Sequence, residues 1–357
     1  MSGAIGSTGY GLLTQLLAGS NTVQQQLNTL TEQASNGLIG NTYAGLGNGA
    51  AVALDLQPQV ATLQTQQHNV DAATTRLNVT QTAMTQLQSI ASTFMADMNN
   101  LPGTNGSEVA SIAAAARSAL TQVANLLDTQ DGNTYVFAGQ DSQNPPVPNP
   151  DGILSSGFTT QIATAVAGLT ANGAAATQAS ILGIASSNAA GTSPFSAYLS
   201  QPAGSLQVPY IQVGPRQIVQ TGILASANTA VVSTGASTTG SYMRDLMGAL
   251  ATIGSLTPGQ QTDPNFATLV QNTHTNLTGV VQSMADDVGV LGDQQTRLTT
   301  IQTGLSDTQT ALTTQVGNVE NVDMAATLSQ LTQTQTRLQA SYQLIAGMSG
   351  LSLVKFL

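Results

Sequence analysis

Two histidines, His68 and His274, are the only imidazoles in 357 residues, and no cysteine accompanies them. A zinc or nucleophile site on a helix would need partners three or four positions away that converge on one face. Asp71 is the only such partner, and the His68/Asp71 spacing suits a surface hydrogen bond rather than a metal. Gly45-Leu46-Gly47-Asn48-Gly49-Ala50 has the glycines of a phosphate loop, but no β-run precedes it and no Lys-Ser/Thr follows. It reads as a glycine-rich linker. Asp286 and Asp287 are adjacent, so on a helix they point about 100° apart and cannot share a reacting centre; they read as solvated charges. No catalytic, metal or cofactor-binding residue is expected, and the chain is not read as an enzyme.

Composition narrows the partners. Seven Lys plus Arg against 17 Asp plus Glu give a net charge of −10, and the cations are dispersed. Nucleic acid is therefore excluded as a partner, since neutralising phosphates needs clustered cations. In place of charge the chain carries 48 Thr and 38 Gln, and its aromatic content is only 4%, which favours thin helix-on-helix packing over a thick ring-filled core. The first residues lack the basic start of a cleaved signal peptide. The uncharged stretch 338–354 is interrupted by Gln and Ser and does not read as a membrane span.

Elements that could position any surface are written in the heptads. Leu56, Leu63, Val70, Leu77 and Met84 recur every seven residues and continue through Ala91 and Met98, the period of a helix with one packed seam. Pro58 is expected in the first turn of that helix, where its missing N–H is harmless. A second array runs through Leu277, Met284, Leu291, Leu298, Leu305 and Leu312 to Val319. Each predicts a helix of roughly 65 Å. The phase slips between Val319 and Met324, which places a hinge near Asn321 and Asp323. Beyond it, Leu331, Leu338 and Ile345, joined by Leu328, Tyr342, Leu351 and Leu353, form a terminal seam. At the other end Leu13, Leu16, Val23, Leu27 and Leu30 form another, stopping at Asn36-Gly37.

Between the arrays the pattern changes. Residues 144–215 carry one charge, Asp151, with the run Pro145-Pro146-Val147-Pro148-Asn149-Pro150. Helical periodicity is lost, and the β-branched runs 206–213, 218–225 and 230–234 predict strands. The expected fold is mainly α: a long antiparallel, coiled-coil-like rod formed by both chain ends, with a small β-containing central insert. The division is 1–50, an assembly helix and Gly-rich loop; 51–143, half of the rod; 144–240, a variable, β-rich insert; 241–320, the other half; and 321–357, a second assembly helix. The terminal seams have no cover of their own and are expected to find it in other subunits.

Several local sequences, in this order, carry a resemblance. They are Ala34-Ser35-Asn36-Gly37; Asp131-Gly132-Asn133-Thr134-Tyr135-Val136-Phe137-Ala138-Gly139 followed by Pro145-Pro146; Ile211-Gln212-Val213-Gly214; Glu320-Asn321-Val322-Asp323-Met324-Ala325; and the tail Leu351-Ser352-Leu353-Val354-Lys355-Phe356-Leu357. Together they resemble the bacterial flagellin family, most closely its hook-associated protein 3 (hook–filament junction) branch and, second, flagellin itself. Tyr135, Phe137, Ala138 and Gly139 stand at the positions of that branch's signature. The family's acidic motif after the first helix is replaced here by Asn41-Thr42-Tyr43-Ala44-Gly45.

The resemblance implies a secreted, extracellular structural subunit of the flagellum, exported through the type III apparatus and serving motility. Its implied partners are further copies of itself, hook-associated protein 1, flagellin and an export chaperone. A secreted coiled-coil adhesin or type III translocator is the alternative from a different class.

Overall fold

The computed structural model describes residues 5–214 and 216–354; among these, the side chains of 5–10, 12–13 and 348–354 are outside the description, which takes in the expected seam residues Leu13, Leu351 and Leu353. The chain is mainly α. Its helices are α1 (Ile5–Asn36), α2 (Ala50–Asn100), α3 (Gly106–Leu127), α4 (Gly157–Ala167), α5 (Leu169–Ser186), α6 (Tyr242–Gly254), α7 (Phe266–Glu320) and α8 (Met324–Val354). Two antiparallel hairpins complete it: β1 (Gln130–Asp131) with β2 (Thr134–Tyr135), and β3 (Tyr210–Gly214) with β4 (Gln217–Gln220).

Two compact units emerge. The first joins Met1–Gln64 with Ser306–Leu357; the second is Thr65–Leu305. This differs from the five-part division expected from the sequence. Residues 144–240 are not a separate unit, because Phe158, Ile162, Leu199 and Val219 share one buried cluster with Leu77, Leu120, Leu250 and Leu277.

The β-rich reading of 144–240 is corrected as well. Helices α4 and α5 occupy much of it, and 230–234 forms no strand. Ser156 caps α4 by accepting the Thr159 N–H, and Phe158, Ile162 and Val166 are buried at four-residue spacing. In α5 the helical period is cut by Gly173 at φ 78°, a conformation that glycine adopts without a Cβ clash. Short helices with a broken period and no charged wet face leave little in the sequence to distinguish them from loop.

Helix α2 begins at Ala50, so Pro58 lies inside it rather than in its first turn. The proline removes one N–H from the helical ladder, and the flanking Gln57 and Gln59 are exposed. The capping box of α3 is complete: Asn105 Oδ1 accepts the Ser107 and Glu108 N–H groups, and Glu108 returns a carboxylate to the Asn105 N–H. Helix α6 is buried on every side, packed on α3, α4 and α5.

Candidate assembly surface

In the first unit the helical period breaks between α7 and α8, and the break is built from backbone. Glu320 O accepts the Ile39 N–H at 2.7 Å, and Gly37 O accepts the Val322 N–H at 2.9 Å, so Leu38 and Asn321 pair as an isolated β-bridge. Gly37 permits this reversal with φ 75°. Asp323 then caps α8, its Oδ1 accepting the Ala325 and Ala326 N–H groups at 2.9 and 3.1 Å. Side chains brace the same point: the Tyr43 hydroxyl donates to Gln57, whose amide donates to Glu320 at 2.8 Å.

Helices α1 and α8 pack closely along their length. Among their described residues the buried ones are Ser20, Leu30, Thr327, Thr334 and Leu338, and the half-buried ones include Leu16, Val23, Leu27, Leu331 and Ile345. The small Ser and Thr side chains let the helix axes approach, while the leucines alternate with them along the seam. Two residues of the expected α8 assembly seam lie outside this buried contact. On a helix both i+3 and i+4 neighbours share a face, and apolarity alone favours Leu328 and Tyr342 at i+4. The helix instead turns Thr327, Thr334 and the half-buried Ser341, at i+3, toward α1.

Leu328 and Tyr342 consequently stay exposed, 48% and 53%, although the Tyr342 hydroxyl donates to Gln24 on α1 at 3.4 Å; Leu344 at 61% and, on α1, Leu17 at 47% join them. Two heptads separate Leu328 from Tyr342, so they lie on one stripe. Val52, Leu54 and Met324 are exposed in the same unit. Exposed apolar groups clustered on helix faces mark an interaction surface. A polar groove of about 630 Å³ runs along the end of α7, between Gln309 and Asp323, with Val322 its only large apolar lining residue.

The long seams fall in both units. Val70, Leu77, Met84, Leu277, Met284, Leu291 and Leu298 are buried in the second, where Leu305 is half-buried; Leu56 is buried in the first, where Leu63 and Leu312 are half-buried. The signature positions belong to the second unit's interior. Phe137, Ala138 and Gly139 are buried and Tyr135 partly so; Phe137 O accepts the Ala225 N–H at 3.0 Å, and Ala138 bridges Leu224. A Cβ on Gly139 would lie 2.7 Å from the Leu224 side chain and 2.9 Å from Gln207 O, so only glycine fits.

Sequence reasoning missed the ionisable groups buried here. Arg76 donates from Nη1 to Thr134 Oγ1 at 2.9 Å, from Nη2 to Tyr135 O at 2.9 Å and from Nε to Thr221 O at 3.2 Å, tying both hairpin regions to α2. Asp287 is not solvated as expected: it is buried and accepts the Tyr242 hydroxyl proton. Burial holds its carboxyl above the usual range against the lowering effect of that bond, and burial beside Asp287 holds the Tyr242 hydroxyl well above its own. The signal was faint: Asp287 follows Val280 and Met284 at helical spacing, within the seam's stripe. Asp286 is exposed, as is His68, while His274 is half-buried. Among the described residues no three His, Cys, Asp or Glu converge as metal ligands, and no helix is long and apolar enough to cross a membrane.

Comparison with known proteins matches residues 274–357 to the bacterial flagellin C-terminal helical region. No curated protein matches the chain. Among solved structures, its fold is similar to that of a protein assigned as flagellar hook-associated from Vibrio parahaemolyticus, with 10% identity and a TM-score of 0.50 over 76% of this chain and 96% of that one. At that identity the likeness is one of fold. The last quarter of the chain, α8 and most of α7, is thus the part similar to the flagellin C-terminal helical region.

Proposed function

We propose that the chain is a structural, non-enzymatic subunit of the extracellular bacterial flagellum, assembling through its terminal helices, and that its place is the hook–filament junction. The observation that carries the reading is the coincidence of the flagellin-type C-terminal region with the uncovered apolar face on α8. Helices α1 and α8 cover one another along the Ser/Thr/Leu seam and present Leu17, Leu328, Tyr342 and Leu344 to neighbouring copies. Burying those groups at ~25 cal/mol per Å² offsets the entropy of ordering the terminal helices. Thr and Gln on the remaining faces lie beside identical neighbours with little charge repulsion.

The junction assignment is supported by the signature Tyr135, Phe137, Ala138 and Gly139, by the small β-containing segment beside it, and by the fold shared with a hook-associated protein. In this reading hook-associated protein 1 borders the ring on one side and flagellin on the other. The subunit reaches its place by type III export with a chaperone covering the terminal helices. A second reading, a filament-forming flagellin, is favoured by the family model itself, which is that of flagellin.

Negative-stain microscopy of a strain deleted for this gene separates the two. The junction reading expects hooks without filaments and intact flagellin shed into the medium. Hooks without filaments and no shed subunit indicate the filament protein, and normal hooks and filaments overturn both.

A further inference from the structure

The second unit contains a pocket of about 300 Å³ with Arg244 in its lining. Arg244 is 6% exposed and forms no ion pair among the described residues. Its charge is met only by dipoles: Nε donates to Ser226 O at 2.8 Å, Nη1 to Ala185 O and Ser187 O at 3.0 and 3.2 Å, and Nη2 to Asn188 Oδ1 at 2.7 Å. The guanidinium has five N–H donors, so one on Nη2 remains without a partner. The Phe195 ring stacks on the guanidinium at 5.0 Å. The neighbouring Asp245 makes no ion pair with it; its carboxylate is turned to the Thr238 hydroxyl and the Thr239 N–H.

The start of helix α6, 13 residues long, meets the same space, with its N-cap Ser241 in the lining. That helix end is already answered: Asn228 Oδ1 accepts the Tyr242 N–H, Ser241 Oγ accepts the Arg244 N–H, and Asp245 lies in the first turn. The buried Arg244 therefore calls for a single negative charge; a dianion would bury an excess. The volume exceeds that of a bare carboxylate and matches the lower end of small-ligand sites. The walls are of two kinds: Gln201, whose side-chain amide has no partner among the described residues, and the hydroxyl of Ser241 on one hand, and Leu206, Val231 and Val232 on the other. Amide and hydroxyl groups bind sugar hydroxyls, and apolar side chains accept the C–H face of a sugar ring.

We propose that this pocket binds a small polyhydroxylated carboxylate, the size of one sugar acid, with the carboxylate on Arg244 and the ring against Val231 and Val232. The site is independent of the assembly surface and of the flagellar reading. The test is titration of the full chain with glucuronate, followed by NMR of the arginine side-chain N–H signals, with glucose, acetate and sulfate as comparison ligands. Saturable glucuronate binding that shifts a single arginine, no binding of glucose, and weaker binding of acetate and sulfate are expected.

Because Arg244 also ties three carbonyls, its removal would confound binding with folding. The diagnostic variant is Val232→Asp, at a residue that lines the pocket and is 82% exposed. It leaves the melting temperature unchanged and weakens glucuronate about tenfold by like-charge repulsion at the mouth. Absence of saturable glucuronate binding, equal binding of glucose, acetate or sulfate, or unaltered affinity in Val232→Asp would each overturn the proposal.

Discussion

The two units use the same materials, long helices with apolar seams and Thr- and Gln-rich outer faces, and finish them in opposite ways. In the second unit the seams of α2 and α7 are covered by α3, α6 and the segment between them, burying Phe137, Phe158, Leu120 and Leu250 almost completely. Its buried polar atoms are nearly all answered, Thr177 Oγ1, Asp287 Oδ1, Gln294 Oε1 and Gln302 Oε1 being the exceptions among the described residues. In the first unit Leu30, Ala53, Leu56 and Leu338 are the buried apolar side chains among those described, and large apolar groups on α1, α2 and α8 stay in water. Heptad periodicity marks where a packed face lies. It does not say whether the cover for that face comes from the same chain.

The contrast breaks most sharply in a variant that removes only uncovered groups. Leu328→Ser with Leu344→Ser should abolish self-assembly, read by sedimentation and electron microscopy, while the monomer's melting changes by no more than about 0.5 kcal/mol, as for exposed sites generally. Loss of monomer stability with assembly intact would instead make this face part of an internal core. The converse variant, Phe137→Ala, empties a fully buried site of the second unit and should cost about 3–5 kcal/mol of stability in chemical denaturation. Assembly should persist wherever the unit remains folded.

A smaller effect tests how the second unit secures its hairpins. Arg76→Met keeps most of the aliphatic volume but takes the Arg76 donors from Tyr135 O and Thr221 O, while Thr134 Oγ1 keeps its bond to Asp131 O. Leaving buried acceptors unmade should cost about 1–3 kcal/mol. Hydrogen exchange should localise the loss to β1–β2 and the strand end near Thr221 rather than to the terminal helices. Uniform loss across the chain would show that Arg76 acts through the core as a whole.

Much of this arrangement was legible in the residues. Seven-residue spacing from Leu56 and from Leu277 is strong because many side chains repeat it, and the slip between Val319 and Met324 locates the Asp323 cap of α8. What escaped depends on contacts no periodicity encodes. Helices α4 and α5 hide because Gly173 breaks their phase and their wet faces carry Thr, Ala and Gln instead of charge. The choice of Thr327 and Thr334 over Leu328 and Tyr342 at the seam rests on how closely α1 approaches, and Arg76, Arg244 and Asp287 resemble scattered surface charges until their partners, distant in sequence, surround them.

The smallest expected effect concerns pH, and it sharpens the contrast through Asp128, in the second unit. This residue ends α3 and accepts the Val147 N–H at 2.8 Å, fastening the proline-rich run. Burial pushes its carboxyl up to about 6, only partly offset by that bond. The unfolded group titrates near 3.8, so between the two values the folded chain holds the extra proton. Its contribution is therefore complete at low pH and is lost as pH rises through about 6. At face value the shift is worth about 3 kcal/mol, but the group is partly solvated, and about 1 kcal/mol is expected after screening. Asp245 and Asp287 are raised by burial in the same direction, so the second unit should gain stability as pH falls from 7.5 toward 4.5. Asp128→Asn keeps the acceptor for Val147 and cannot titrate. Denaturation across that range should show its pH slope flattened by about 1 kcal/mol, and an unchanged slope would mean that Asp128 is solvated enough to ionise as freely in the folded chain as in the unfolded one.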